Sequence, residues 1–179
     1  MRTLAAIILC LIASAPLTLP LCAQKDQPEP LTAEQQDQIA EAGIDPVARV
    51  DLYVKFLDEH AETIRGLIKR AKGPARSQRL DGELQNFSAL LDELGDNLDM
   101  YSQRKADLRK SLKGLNEGVA RWQGVLHDLP SEPGFELSLK AALDSGNDLA
   151  TQTKQLSSDQ EAYFKAHPEQ KDQDRYEPQ

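Results

Sequence analysis

Residues 80–129 read LDGELQNFSALLDELGDNLDMYSQRKADLRKSLKGLNEGVARWQGVLHDL, and their pattern decides the fold. Stepping by alternate fours and threes lands on Leu80, Leu84, Phe87, Leu91, Leu94, Leu98, Tyr101, Lys105, Leu108, Leu112, Leu115, Val119, Trp122, Leu126 and Leu129. Every one of these positions except Lys105 is apolar or aromatic, in a chain that is 40% hydrophobic. A stripe sustained at 3.5 residues is that of a helix lying in a coiled-coil seam. No proline falls between Ala75 and Leu129. The pattern therefore predicts one helix over about 76–129, about 80 Å long at ~1.5 Å per residue. A break at Ser102–Asp107 or at Gly114–Gly118 is the competing reading, and it would fold the stripe back on itself.

Two further stripes flank the first. Asp45-Pro46 is a helix start, with Asp as the cap and Pro as the first helical residue. It opens a helix over about 46–72 with Val47, Val50, Val54, Leu57, Ala61, Ile64, Ile68 and Ala71 on one face. Gly73-Pro74 ends that helix and turns the chain into the long one. Pro130 stops the long helix. Pro133-Gly134 then opens a last helix over about 134–166, whose seam is weakened by Gly146, Thr153 and Gln160. Ahead of all three, Thr32 and Gln35 make a capping box for a short helix over about 33–42, ended by Gly43. The fold class expected is all-α: an elongated antiparallel coiled coil built on the long central helix, three-stranded near Tyr101–Leu112. The seam edges exposed by such a rod would favour a homodimer. If the long helix breaks, the same pieces make a compact four-helix bundle.

The ends differ from this core. Arg2, the apolar run Leu4–Ile12 and the small residues that follow read as a secretory signal over 1–23, with cleavage after Ala23. Pro16 and Pro20 interrupt the run, so a stable span is not expected after cleavage. Lipidation of Cys22 is disfavoured by Leu19-Pro20-Leu21, which lacks a small residue just before the cysteine. Residues 24–31 read as a polar linker, 32–166 as a single helical domain and 167–179 as a disordered tail. The implied location is exported, periplasmic or extracellular. Both cysteines, Cys10 and Cys22, fall in the signal, so the exported chain would hold itself together without disulfides.

Charge narrows the partners. The chain has 28% charged and 5% aromatic residues and a formal net charge of −8. Losing residues 1–23 removes one Arg and no acid, which makes the remainder more acidic still. Nucleic acid and anionic membranes want the opposite sign. No phosphate loop, nucleophile elbow or Glu-x-x-His pair is present, and His60, His127 and His167 are too scattered for a metal set. The sequence thus points to no catalytic, cofactor or metal residues. It points instead to a non-enzymatic interaction protein of the cell envelope: a scaffold, adaptor or chaperone-like holder that binds another protein. A bundle holding a small ligand or metal in its core is the alternative.

Two charge clusters are candidates for docking. Arg104, Lys105, Arg109, Lys110 and Lys113 form a basic run. Antiparallel counting sets it against the acids of the first helix (Glu34, Asp37, Glu41) and against Asp159 and Glu161. Lys105 reads either as a polar seam residue that fixes register or as part of a patch for an acidic partner. Asp92, Asp96 and Asp99 share a face of the long helix, and in the hairpin they are expected to approach Asp51, Asp58, Glu59 and Glu62. A solvated face is the ordinary meaning of such a row, and calcium would need more oxygens on a tighter loop. Gly114 and Gly118, four apart, share a face and either let another backbone come close or, as more often, simply soften the helix, and Trp122 reads as a core anchor.

Overall fold

A computed structural model describes residues 29–171, so the expected signal and most of the linker and tail lie outside it. Helix α1 (Ala33–Glu41) begins at the expected capping box. The Thr32 hydroxyl accepts from the Gln35 N–H at 3.2 Å, and the Gln35 amide oxygen accepts from the Thr32 N–H at 2.9 Å. Gly43, with φ of 60°, takes the left-handed backbone that stops the helix at little steric cost. Helix α2 (Pro46–Ile68) starts on the Asp45 carboxylate, which accepts from the N–H groups of Val47 and Ala48. It ends four residues before the expected Lys72.

The continuous helix expected over 76–129 is instead two: α3 (Pro74–Gln103) and α4 (Arg109–His127). The break falls at 104–108, overlapping the Ser102–Asp107 alternative. Its cause lies in the stripe itself. Every apolar position of that stripe is buried, from Leu80 to Leu129, while Lys105 is exposed and carries a φ of 57°. Burying an unpaired ammonium costs far more than bending a chain, and the turn carries Lys105 out to water. The N-cap of α4, Leu108, has no side chain that can cap it, and locally the Asp107 carboxylate accepts from the Arg109 N–H, at 3.3 Å. Gln160 serves from α5 (Glu136–Ala166): its Oε1 accepts from the Leu108 N–H at 2.8 Å, and its Nε2 donates to the Ala106 carbonyl at 2.6 Å. The glutamine that weakened the last seam is thus the partner of the turn. Helix α5 starts two residues late because Gly134, at φ 107°, is spent on the preceding turn. After α5, Pro168–Gln170 form a 3₁₀ turn.

Cross-helix contacts give the topology. Tyr53 meets Glu93 and His60 meets Glu83, so α2 and α3 are antiparallel. Val47 meets Ser111 and Asp58 meets Trp122, so α2 and α4 run parallel. Ser88 meets Ser145 and Gly95 meets Gln152, so α3 and α5 run parallel, whereas Asn116 with Ser157 and Gln123 with Asn147 make α4 and α5 antiparallel. The order round the bundle is α2, α3, α5, α4, and α3 and α4 lie across its diagonal. They meet in the core, where the Phe87 and Trp122 rings stand edge to face with centroids 6.4 Å apart.

The molecule is therefore a packed helical bundle rather than an extended rod, and all-α as expected. Tyr53, Phe56, Phe87 and Trp122 are buried between the helices with almost no exposure, and Phe135 and Phe164 are buried near the two ends of α5. Each large apolar side chain so buried contributes about 1.5–3 kcal/mol before entropy is counted. Four helices cover one another's stripes, so the exposed seam edges that favoured a homodimer do not arise among the described residues. At the far end from the α3–α4 turn, buried Arg76 bonds Glu132 and reaches the Ile68 carbonyl, tying the loops 69–73 and 128–135 together.

Candidate functional site

The basic run gathers at one end of the bundle. Arg104 and Lys105 occupy the α3–α4 turn, and Arg109, Lys110 and Lys113 follow on the first turns of α4. Gln160, between the expected acids Asp159 and Glu161, bonds the turn itself. The Arg109 guanidinium holds Asp107 through Nε at 2.8 Å and Nη2 at 2.5 Å and lies 4.5 Å from the centre of the Phe164 ring. The Lys105 ammonium lies 5.3 Å from the centre of the Tyr163 ring. The end of α5 thus meets the cations with aromatic faces, a favourable arrangement worth about 0.5–1 kcal/mol at an exposed site. Arg104, Lys105, Lys110 and Lys113 are exposed and Arg109 is half-buried. Acids of α1 do not close over the turn: Gln35 and Gln38 of that helix bond Glu59 and Lys55 in the middle of α2.

The acidic row faces the other way from expectation. Asp92, Asp96 and Asp99 line an open groove of about 460 Å³ with Asp148 of α5, not with the acids of α2. The helix break and the parallel α3–α5 pairing put this flank of α3 against α5. Gln152 spans the groove, donating to the Gly95 carbonyl at 2.9 Å and to Asp99 at 2.7 Å. Among the described residues no three His, Cys, Asp or Glu side chains converge to hold a metal ion. The glycines also differ from expectation. A Cβ on Gly114 would meet nothing within 4 Å, and one on Gly118 would meet the Trp122 ring of its own helix at 2.8 Å. Gly118 makes room for an indole, not for a neighbouring backbone.

Three polar constellations escaped the sequence reading. Trp122 is the core anchor expected, but its indole N–H also donates to Asp58 at 2.7 Å, and Arg121 holds the same carboxylate with 2.9 and 3.0 Å contacts. Tyr53 donates to Glu93 at 2.5 Å and accepts from Asn97 at 3.3 Å. Burial and the Glu93 carboxylate push its phenol well above its ordinary pKa of 10.0. His60 lies between Glu83 of α3 and the carbonyl of Pro30, with Nδ1 2.7 Å from the carboxylate and Nε2 2.9 Å from the carbonyl. Burial lowers the imidazole pKa, but the Glu83 hydrogen bond, the Pro30 carbonyl and the charges of Glu83 and Glu59 outweigh it, leaving the group above 6.5. The signal for the last two was available. Counting antiparallel from Gly73-Pro74 sets 53 opposite 94 and 60 opposite 87, within about one helical turn of Glu93 and Glu83. A search for metal spacings along one helix does not look there.

No helix among the described residues is long and apolar enough to cross a membrane. No family model matches the chain, and no curated protein or solved structure does.

Proposed function

We propose that the protein is an exported, non-enzymatic helical interaction protein, a scaffold, adaptor or chaperone-like holder in the cell envelope. The observation that carries this reading is the segregation of charge on the outside of an apolar bundle. A basic end at the α3–α4 turn stands on an acidic chain, with carboxylates grouped in the α3–α5 groove. Such surfaces steer encounter and choose partners by sign. The exposed cations Arg104, Lys105 and Lys113 form the docking patch for an acidic protein surface. The signal-like segment at 1–23 supports the location.

Crosslinked capture of the tagged protein from its own envelope fraction, read by mass spectrometry, tests the proposal. The expected result is a reproducible protein partner with crosslinks on the basic end, and weaker capture by an Arg104→Glu, Lys113→Glu variant. A protein found only in the cytoplasmic fraction overturns the location. One that elutes alone with stoichiometric metal or small molecule overturns the interaction reading in favour of a ligand-binding bundle.

A further inference from the structure

The segment that leads into α1 is held on the bundle by little. Helix α1 has nine residues, too few to persist unsupported, and it packs on α2. Its apolar footprint is Leu31 and Ile39, and its side-chain bonds from Gln35 to Glu59 and from Lys55 to Gln38 are exposed to water. The exception is His60. Its ring is largely buried and faces two acceptors at once, the Glu83 carboxylate on Nδ1 and the Pro30 carbonyl on Nε2. A neutral imidazole has one N–H and one lone pair, so between two acceptors it aims the lone pair at one of them. The imidazolium donates to both.

We propose that His60 is a protonation latch: the imidazolium pins the arm 30–42 to the α2–α3 face, and loss of its proton loosens that arm while the bundle stays folded. The two carboxylates that act on the ring both favour the imidazolium. Glu83 comes from α3 and Glu59 from α2 itself, with Lys55 4.0 Å from Glu59. The arm contributes the Pro30 carbonyl, and Arg121 of α4 is occupied by Asp58 on another flank of α2. Glu83 and Glu59 stay with the bundle when the arm leaves, so the arm's own part in favouring the imidazolium is the Pro30 carbonyl on Nε2. The latch is therefore engaged while the ring is protonated and is lost as pH rises through the pKa of the docked imidazole. Each unit by which docking raises the pKa changes the docking equilibrium about tenfold.

Amide hydrogen exchange on the full chain at pH 5.5 and pH 8.5, corrected for intrinsic rates, tests this. In the wild type, protection across Ala33–Glu41 is expected to fall about fivefold or more at the higher pH, while α3 and α5 hold theirs. In His60→Gln the arm's protection is expected not to change between the two pH values. Equal wild-type protection at both pH values, or a variant that keeps the fall, overturns the latch. Should the variant not fold, an NMR titration of the wild-type His60 ring decides. Arm amide shifts that follow the ring with the same midpoint support the latch, and arm shifts that do not follow the ring overturn it.

Discussion

Gly114 and Gly118 share a helix and a spacing, yet their surroundings give them opposite roles. Gly118 is buried against the Trp122 ring, and a Cβ there would sit 2.8 Å from the ring carbon Cζ2. The indole cannot swing away freely, because its N–H is committed to Asp58 and one of its edges meets Phe87. Alanine gains about 1 kcal/mol in helix propensity over glycine, while forcing extra volume into a packed site costs about 1–3 kcal/mol. Gly118→Ala is therefore expected to destabilise the protein by about 1–2 kcal/mol, since the lost indole hydrogen bond to a carboxylate adds to the strain. Gly114 is exposed with open space around its Cα. Gly114→Ala keeps only the propensity gain, a stabilisation of up to about 1 kcal/mol. Urea unfolding of the two variants side by side reads the difference, and equal signs would reject the placement of the Trp122 ring. Residue letters show two glycines four apart; only the packed ring separates them.

At the scale of the element, the turn between α3 and α4 is the feature the pattern hid. The apolar stripe keeps its 4–3 spacing straight through it, because Tyr101 and Leu108 face the core from either side of the loop. Periodicity reports which residues are buried, and here a helix and a helix–turn–helix bury the same ones. The one local mark was Lys105, a cation where the stripe wanted a hydrocarbon, and it occupies the left-handed backbone at φ 57°. That conformation costs a non-glycine residue about 1–2 kcal/mol. Lys105→Gly removes the cost and loses a cation–π contact of about 0.5–1 kcal/mol, so it is expected to be neutral or stabilising by up to about 1 kcal/mol. Inside an unbroken helix the same change would cost about 1 kcal/mol instead. The sign of the shift in thermal unfolding thus separates the two structures. Gln160→Leu is the companion test. It strips the Leu108 N–H and the Ala106 carbonyl of their partner, each costing about 1–3 kcal/mol if left buried, and a loss of about 2 kcal/mol or more is expected in the same assay. A small effect would mean that water caps the turn.

At the scale of the whole molecule, the helix starts at Asp45 and Thr32, the helix class and the core stripe of residues 80–129 were legible, because capping and amphipathic spacing are local; the α2 stripe was less so, since Ala71 is exposed and Val47, Val54 and Ile68 are half-buried while Tyr53 and Phe56 beside it are fully buried. What was not legible was which helices face each other. The acidic row Asp92, Asp96 and Asp99 was assigned to the α2 side and lies on the α5 side, since a row on a helix flank has two neighbours and spacing does not choose between them. The same gap hid His60, whose partners come from α3 and from the leading segment. The arrangement itself can be measured by one distance. Gln78 near the start of α3 and His127 at the end of α4 are both exposed, and both lie at the end of the bundle tied by Arg76 and Glu132. Helices packed 8–10 Å apart put the diagonal near ~14 Å, so spin labels at the two positions should lie within about 20–30 Å once their linkers are added. A continuous helix would separate them by about 70 Å at ~1.5 Å per residue. Labels on cysteines at these positions, with Cys10 and Cys22 replaced by serine, give the answer by pulsed electron resonance without reference to the chain's ends. A single short-distance population is expected. A population near 70 Å would restore the rod, and with it the exposed seams that call for a second copy of the chain.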